Sequence, residues 1–222
     1  MNVICSICEN RSSCFNELSI NELNNISGKK VEISYKKGET IIKQGASASH
    51  MYFVKKGLVK IIIENKPKNL IIELSGKGSM LGMTSINYSN NYGFSVVAIN
   101  DVDVCEIDMQ FINHVVGNNV GFASNIVKQL NVTINKLLKK VHCLSQKNLH
   151  SRMSEVLLEL SNNVYQSTDF DMILSRNELA ELTNMATENV VRTLKEFDKL
   201  GYIELKGKKV KILDIEKLKS ML

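Results

Sequence analysis

The spacing of hydrophobic and polar positions changes along the chain. Between residues 31 and 107, short runs of alternating or β-branched residues recur about every 8–12 residues, separated by glycine or by Asn100-Asp101. Even spacing with turn signals predicts an antiparallel β-sandwich or barrel. The predicted strands are 31–35, 40–43, 51–54, 57–63, 70–74, 95–99 and 102–107.

Helical spacing precedes and follows this β-rich stretch. Ser19 and Glu22 form a capping box, which predicts a short helix. From 120 to 145, apolar residues three and four positions apart predict one long helix with a heptad-like seam. The seam predicts a dimer interface, and the alternative is a helix packed on its own sandwich. Its members are Ile126, Leu130, Ile134, Leu137, Val141 and Leu144.

The last third of the chain is mainly helical and ends in a hairpin. An amphipathic helix is predicted at 148–162, and Ser175 with Glu178 forms a second capping box. The helical pattern breaks at 183–185, resumes at Thr187 and ends before Gly201. Two β-rich runs flank Lys206-Gly207-Lys208 and predict a β-hairpin. Two short helices joined by a tight turn and followed by a hairpin predict a winged helix-turn-helix.

The second helix of a helix-turn-helix enters the major groove with its first residues toward base edges. Here those residues are Thr187, Glu188, Val191 and Arg192. Arg192 can donate to guanine O6 and N7, Glu188 can accept from cytosine N4, and Val191 offers an apolar contact. The alternative is that Glu188 and Arg192 form an ordinary surface pair four residues apart.

The charge distribution favours DNA binding. The net charge of +5 permits it, and between residues 192 and 211 seven basic residues accompany three acidic ones. Lys206, Lys208 and Lys209 cluster on the predicted wing, where phosphates would pass.

Composition narrows the class of protein. The chain has 222 residues, of which 44% are hydrophobic, and this suits one large or two small globular domains. No stretch approaches the roughly 18 consecutive apolar residues of a membrane span. The residues around Glu9 and Arg11 lack the apolar core of a signal peptide. Without an export signal, the five cysteines predict a cytoplasmic protein with metal or redox thiols instead of disulfides.

Four cysteines have the spacing of a ligand set. Cys5, Cys8 and Cys14 form a C-x2-C-x5-C run, and Cys105 stands far downstream. Such thiolates can hold Zn²⁺ or an iron–sulfur cluster. The alternatives are that Cys14 and Cys105 are small buried residues, or that the first pair serves a thiol oxidoreductase. Because redox CxxC motifs normally begin a helix in a βαβ context, we do not expect an enzyme.

A β-domain, a long helix and a winged helix, in this order, resemble the CRP/FNR family of bacterial transcription regulators. Residues 37–45 and 51–60 look like the opening of the family's cyclic-nucleotide-binding-type β-roll. Residues 174–205 look like its helix-turn-helix, with Glu188 and Arg192 matching its base-reading Glu and Arg. The resemblance implies an α+β fold with a cysteine-bearing segment (1–17), a jelly-roll sensor domain (18–118), a dimerisation helix (119–146) and a winged helix-turn-helix (147–222).

The resemblance also implies partners and a signal. Family members are typically homodimers on palindromic promoter sites in double-stranded DNA, with RNA polymerase as a further partner. FNR-type oxygen sensors carry the same cysteine run and a late cysteine followed by Glu-Ile. This implies a [4Fe–4S] cluster on Cys5, Cys8, Cys14 and Cys105 and a response to oxygen or redox state. Zn²⁺ or thiol chemistry, or another effector such as nitric oxide, haem or a small molecule without a cluster, remain alternatives.

The chain departs from the family pattern at two places. Val191 stands where FNR-type regulators usually have serine, so the exact half-site is open. Cyclic-AMP-responsive members hold the nucleotide with a Gly-Glu pair and a downstream arginine. Here the corresponding pair is Gly82-Met83, and no arginine occurs between Arg11 and Arg152. Because burying a phosphate without a cationic partner is costly, we expect no response to cyclic AMP.

Overall fold

The computed structural model describes residues 5–8 and 11–222. Residues 1–4 and 9–10, which belong to the predicted cysteine-bearing segment, lie outside the described residues. The chain divides into two compact units. One comprises the residues up to Glu64 together with Glu73–Lys136, and the other comprises Asn65–Ile72 together with Leu137–Leu222. The predicted domain boundaries, which follow the order of the elements, stay predictions.

Helices and strands of the described residues are defined by the following bounds. The α-helices are α1 (Ile20–Lys29), α2 (Met109–Asn118), α3 (Val120–Gln146), α4 (Leu149–Glu159), α5 (Arg176–Thr183), α6 (Thr187–Lys199) and α7 (Ile215–Lys219). The strands are β1 (Val31–Tyr35), β2 (Thr40–Ile42), β3 (His50–Lys56), β4 (Val59–Ile63), β5 (Leu70–Ser75), β6 (Met80–Leu81), β7 (Ser95–Ala98), β8 (Val102–Asp108), β9 (Asp169–Asp171), β10 (Ile203–Lys206) and β11 (Lys209–Ile212).

Two sheets form the β-domain, with strand orders β1-β8-β3-β6 and β2-β7-β4-β5. Side chains on β8 alternate between two cores because successive residues of a strand face opposite sides. Val102 and Val104 lie in the core that residues of both sheets share. Cys105 and Ile107 lie in the core beneath the N-terminal segment and helices α1, α2 and α3. The architecture confirms the predicted α+β fold with an antiparallel β-domain.

Both predicted capping boxes are present. The Ser19 backbone N–H donates to Glu22 Oε2 at 2.7 Å, and the Ser175 N–H donates to Glu178 Oε2 at 2.8 Å. These bonds satisfy amides that a helix start leaves without an internal partner, so they fix where α1 and α5 begin. The hydrophobic pattern does not predict several elements of the structure. These are β6, α2, β9, α7 and a π-helical turn at Leu160–Tyr165.

The C-terminal unit contains α4, α5, α6, α7 and a sheet of order β10-β11-β9. Helix α6 buries Val190, Leu194 and Phe197, which lie three and four positions apart on one face. The opposite face of α6 is therefore turned outward by the same packing. Within the described residues, no helix has the length and hydropathy required to cross a membrane.

Candidate nucleic-acid interface and cysteine cavity

The outward face of α6, called the α6 face below, carries all four predicted base-reading residues. Thr187 begins the helix, and Glu188 and Arg192 follow on the exposed side. The residues of this face are Thr187, Glu188, Val191, Arg192, Lys195, Glu196 and Lys199. Lys195, Glu196 and Lys199 were not singled out from the sequence as site residues, although their spacing from Arg192 places them on the same face.

Arg192 is bonded to residues of its own helix, but not to Glu188, its partner in the alternative interpretation of an ordinary surface pair. Its Nη2 donates to Asn189 Oδ1 at 2.9 Å, and its Nε lies 3.8 Å from Glu196 Oε1. Glu196 is also 2.7 Å from His150 Nε2. The ion pair of Arg192 is therefore with Glu196 and not with Glu188. Because exposed pairs contribute little, at most about 1 kcal/mol, Arg192 can leave Glu196 for a base at small cost.

The wing is the β10–β11 hairpin, which turns at Gly207 with a left-handed φ of +63°. Lys206 pairs with Glu204, and this hydrogen bond lowers the pKa of the Glu204 carboxyl. Lys209 Nζ lies 3.2 Å from Asp169 Oδ1 on the neighbouring strand β9. Two of the three predicted wing lysines thus have a carboxylate beside them, while Lys208 is exposed at the turn.

A second site lies on the outer face of the first sheet. Cys105 is on β8, in register with Glu32 of β1 and Phe53 of β3. A cavity above it is lined by Cys5, Cys8 and Cys105 together with Arg11, Ser12, Phe15, Ile26, Lys30, Phe53, Lys55 and Ile107. Three of the four predicted ligand cysteines therefore line one cavity.

Cys14 is directed elsewhere. Its side chain is 1% exposed, and its Sγ lies 3.7 Å from the backbone oxygen of Asn125 on α3. Across residues 5–8 and 11–222, no three histidine, cysteine, aspartate or glutamate side chains come together in a way that could hold a metal ion. The predicted ligand set is thus assembled only in part.

Two lysines that line the cysteine cavity, called its floor here, share a glutamate that is not part of the lining. Glu32 accepts from Lys30 Nζ at 2.6 Å and from Lys55 Nζ at 2.7 Å. Burial acts against the charge of Glu32, but the hydrogen bonds from both lysines dominate and lower its pKa to about 2. Burial raises the pKa of the Cys105 thiol, and the charge of Glu32 adds to that shift, while the charges of Lys30 and Lys55 oppose it. The two lysines thus favour a Cys105 thiolate, but burial and Glu32 outweigh them.

Comparison with known proteins identifies both halves of the chain. Residues 32–119 match the model of the cyclic nucleotide-binding domain, and residues 151–221 match the Crp-like helix-turn-helix domain. The chain belongs to the CRP/FNR family of transcription regulators. It is accordingly a DNA-binding transcription regulator of the CRP/FNR type and not an enzyme.

Relatives of this CRP/FNR protein match it over nearly its whole length. The fumarate and nitrate reduction regulatory protein of Escherichia coli (strain K12) is 24% identical over 217 residues, covering 94% of this chain and 86% of that protein. The anaerobic regulatory protein of Haemophilus influenzae is 23% identical over 223 residues, covering 96% and 86%.

Solved structures share the fold of this CRP/FNR protein. A crp/fnr-family transcriptional regulator from Eubacterium rectale superposes with a TM-score of 0.81 at 19% identity, covering 96% of this chain and 99% of that one. FixK2 from Bradyrhizobium japonicum gives a TM-score of 0.78 at 18% identity, covering 86% and 96%. At these identities the likeness establishes the fold alone.

The long helix of this CRP/FNR chain divides the predicted dimer seam. Ile126 is 3% exposed and lies in the core of its own β-domain, and Leu130 packs partly against the same core. The β-domain thus covers Ile126 but leaves Leu130 half-buried, and the seam as a whole stays a prediction. Ile134 and Val141 are 51% and 63% exposed. The remaining seam residues are Leu137, which is exposed, and Leu144, which is half-buried.

Met83 follows Gly82 at the position where cyclic-AMP-responsive members have a glutamate. Gly82 has a left-handed φ of +96°, and a Cβ at this position would lie 3.3 Å from the backbone oxygen of His50. Met83 packs its apolar side chain against the core beneath the helices. Because a thioether is only a weak acceptor, Met83 cannot replace a carboxylate in binding a ribose.

Proposed function

We propose that this regulator binds palindromic double-stranded promoter DNA as a homodimer and responds to oxygen or redox state through a [4Fe–4S] cluster on Cys5, Cys8, Cys14 and Cys105. The observation that carries the DNA-reading part is the α6 face, which gathers Thr187, Glu188, Val191 and Arg192 on the outward side of one helix. RNA polymerase is the further partner that the family implies.

Within the proposed complex, α6 lies in the major groove. Arg192 exchanges Glu196 for guanine, Glu188 accepts from cytosine, and Val191 contacts a thymine methyl. Lys195 and Lys199 lie further along the α6 face, and we assign them to phosphates together with Lys208 on the wing. These assignments separate base reading at the start of α6 from sequence-independent contacts at its end and on the wing.

The homodimer is supported by the exposed apolar residues of α3. Ile134, Leu138 and Val141 are spaced by four and three residues and lie on the exposed side of the helix. A twofold axis along this stripe would bury it and present two copies of α6. Two such helices read half-sites one DNA turn, about 34 Å, apart.

The cluster proposal depends on the chemistry of the donors and on their shared cavity. Thiolates are the usual ligands of iron–sulfur clusters, and Cys5, Cys8 and Cys105 line one cavity above two lysines. Cys14 completes the set only if its thiol leaves the Asn125 carbonyl. A bound cluster would supply iron and sulfide that oxygen can attack. The chain would contribute the four thiolates, the positive floor and the apolar wall of Phe15 and Phe53.

A second candidate function keeps the DNA-binding scaffold without a cluster. The position of Cys14 favours it, because the thiol is buried against α3 and not turned to the other three. In that case Zn²⁺, thiol chemistry or another effector carries the signal. We expect no response to cyclic AMP in either case, since Met83 replaces the carboxylate of cyclic-AMP-responsive members.

Anaerobic purification followed by iron and acid-labile sulfide analysis tests the cluster. We expect about four of each per chain and visible absorption that air bleaches. Cys105→Ser should lose the iron, whereas Cys143→Ser should keep it because Cys143 is buried in α3 outside the proposed set.

The same protein tests the proposed response. Gel-shift affinity for a palindrome selected from random duplexes should be high before exposure to air and lower after it. A protein without iron that still binds the palindrome would contradict the cluster and leave the DNA-reading proposal intact.

A further inference from the structure

The carboxyl end of α5 is contacted by cationic side chains from three different elements. They come from the hairpin tip between β4 and β5, from α3 and from α4, and they are Lys68, Lys140 and Arg152. All three belong to the same compact unit as α5. The last carbonyls of a helix lack intrahelical donors and carry partial negative charge, so cations stabilise this end.

Lys68 bridges the turn of the helix-turn-helix. Its Nζ donates to the backbone oxygen of Ala180 at 2.8 Å and also to that of Met185. The turn is closed independently, because the Met185 N–H donates to the Ala180 oxygen at 3.0 Å and Asn184 adopts a left-handed φ of 50°. Lys68 therefore adds a connection between the hairpin tip and the turn. Burial lowers the pKa of Lys68, consistent with an ammonium group taken partly out of water.

Lys140 and Arg152 connect the same helix end to α3. Lys140 Nζ lies 2.5 Å from the backbone oxygen of Leu182, and burial lowers the pKa of this lysine. Arg152 donates to the Thr183 oxygen at 3.5 Å and to the Leu144 oxygen, near the end of α3, at 2.6 Å. The proposed dimer helix is thereby joined to the first helix of the DNA-reading motif.

The position of α5 determines that of α6. The two helices pack against each other, and Leu179, Leu182 and Val190 are buried in the unit that contains them. A contact that fixes the carboxyl end of α5 therefore fixes the start of α6, where the base-reading residues lie. For a dimer on a palindrome, that position also sets the separation of the two recognition helices.

We propose that Lys68, Lys140 and Arg152, together the α5 clamp, are positioning residues for DNA reading, and that Lys68 makes the orientation of α6 depend on the tip of the β4–β5 hairpin. This inference rests on the proposed reading of DNA by α6. The clamp touches no base in this scheme. Its members act through the carbonyl groups of α5 and of the following turn.

The test compares Lys68→Met with Lys66→Met in the full-length protein. Both substitutions remove one charge from the same hairpin tip, but Lys66 is solvent-exposed. Affinity is measured by fluorescence anisotropy on a palindrome selected by the wild-type protein and on a scrambled duplex, over a range of salt concentrations. We expect Lys68→Met to bind the palindrome about fivefold more weakly, because a smaller fraction of molecules holds α6 in the competent position.

Three controls separate positioning from other roles. The salt slope and the affinity for the scrambled duplex should be unchanged, since Lys68 would not neutralise a phosphate. Lys66→Met should behave like the wild type. Lys68→Arg, which keeps a cationic donor, should restore most of the affinity. A shallower salt slope, tighter binding of the palindrome, or equal effects of the two substitutions would overturn the proposal.

Hydrogen exchange provides a readout that does not depend on DNA. Amides of residues 184–187 should exchange faster in Lys68→Met than in Lys66→Met, and Lys68→Arg should slow them again. Unchanged exchange would overturn the clamp even if affinity changed. Failure of the DNA-reading proposal appears separately, as a wild-type protein that does not distinguish its selected palindrome from the scrambled duplex.

Discussion

The α6 face and the cysteine cavity are built in opposite ways. The α6 face lies on one helix, and the buried residues Val190, Leu194 and Phe197 turn the predicted base-reading residues outward. The cavity combines Cys5 and Cys8 from the N-terminal segment with Cys105 from β8, while the fourth thiol is buried elsewhere. A site on a single element is preformed by local packing, whereas a site assembled from distant segments depends on what draws them together.

The largest expected effect concerns the buried packing that positions the α6 face. Phe197 is fully buried, with its ring 5.7 Å from that of His150 and 5.9 Å from that of Tyr202. We expect Phe197→Ala to lower the free energy of unfolding by about 3–5 kcal/mol in urea titrations followed by circular dichroism. Lys195→Ala, on the exposed face of the same helix, should stay within about 0.5 kcal/mol of the wild type. Equal destabilisation by Phe197→Ala and Lys195→Ala would show that the buried side of α6 does not preform its outward face.

The next effect concerns the residues of the α6 face. Arg192→Ala should cost roughly 1–3 kcal/mol at the selected palindrome and relax the preference at one base pair. Lys208→Ala is the matched comparison, because it should weaken all sequences alike and reduce the salt slope by about 1. Anisotropy titrations on single-base variants of the palindrome distinguish the two patterns. Unchanged affinity of the Arg192→Ala variant for the palindrome would contradict the assignment of base reading to α6.

The smallest effect tests whether the cavity floor, Lys30 and Lys55 with their partner Glu32, is preformed although Cys14 lies elsewhere. Because Lys30 and Lys55 hold the pKa of Glu32 at about 2, its charge stabilises the folded state above the ordinary carboxyl pKa. Glu32→Gln should lower the free energy of unfolding at neutral pH by about 1–2 kcal/mol. The difference from wild type should shrink as pH falls from about 4.5 to 2.

A matched exposed pair is available in the same unit. Asp101 lies 2.8 Å from Lys36, and both side chains are largely exposed. Asp101→Asn should change stability much less than Glu32→Gln, since water screens the exposed pair. Urea titrations at several pH values measure both variants. A Glu32→Gln difference that persisted at pH 2 would mean that lost packing, and not charge, is responsible.

Local signals in the sequence predicted local structure well. The capping boxes at Ser19 and Ser175 mark the starts of α1 and α5, and the end of α6 before Gly201 was anticipated from glycine's tolerance of the left-handed region. Strand β9 was missed because only Phe170 among its three residues is apolar, and its identity as a strand comes from pairing with β11.

Contacts between distant positions could not be predicted. Ile126 fits a helical seam as well as Ile134 does, and only the folded β-domain shows that it is covered. The bond from Lys68 to Ala180 spans 112 positions and involves a backbone oxygen, which leaves no trace in side-chain pattern. The roles of the site residues therefore stay predictions, although the four predicted base-reading residues lie on one face of α6.

If the wing contacts phosphates as proposed, the carboxylates beside it would affect how the regulator finds its site in a genome. Glu204 and Asp169 already occupy Lys206 and Lys209, so part of the wing's charge is neutralised before any duplex arrives. A lower affinity for non-specific DNA shortens the residence time at each non-specific site, while the contacts of α6 at the specific site are unchanged. In the proposed complex, the paired lysines would thus shorten residence on random DNA and speed the search among many competing sites.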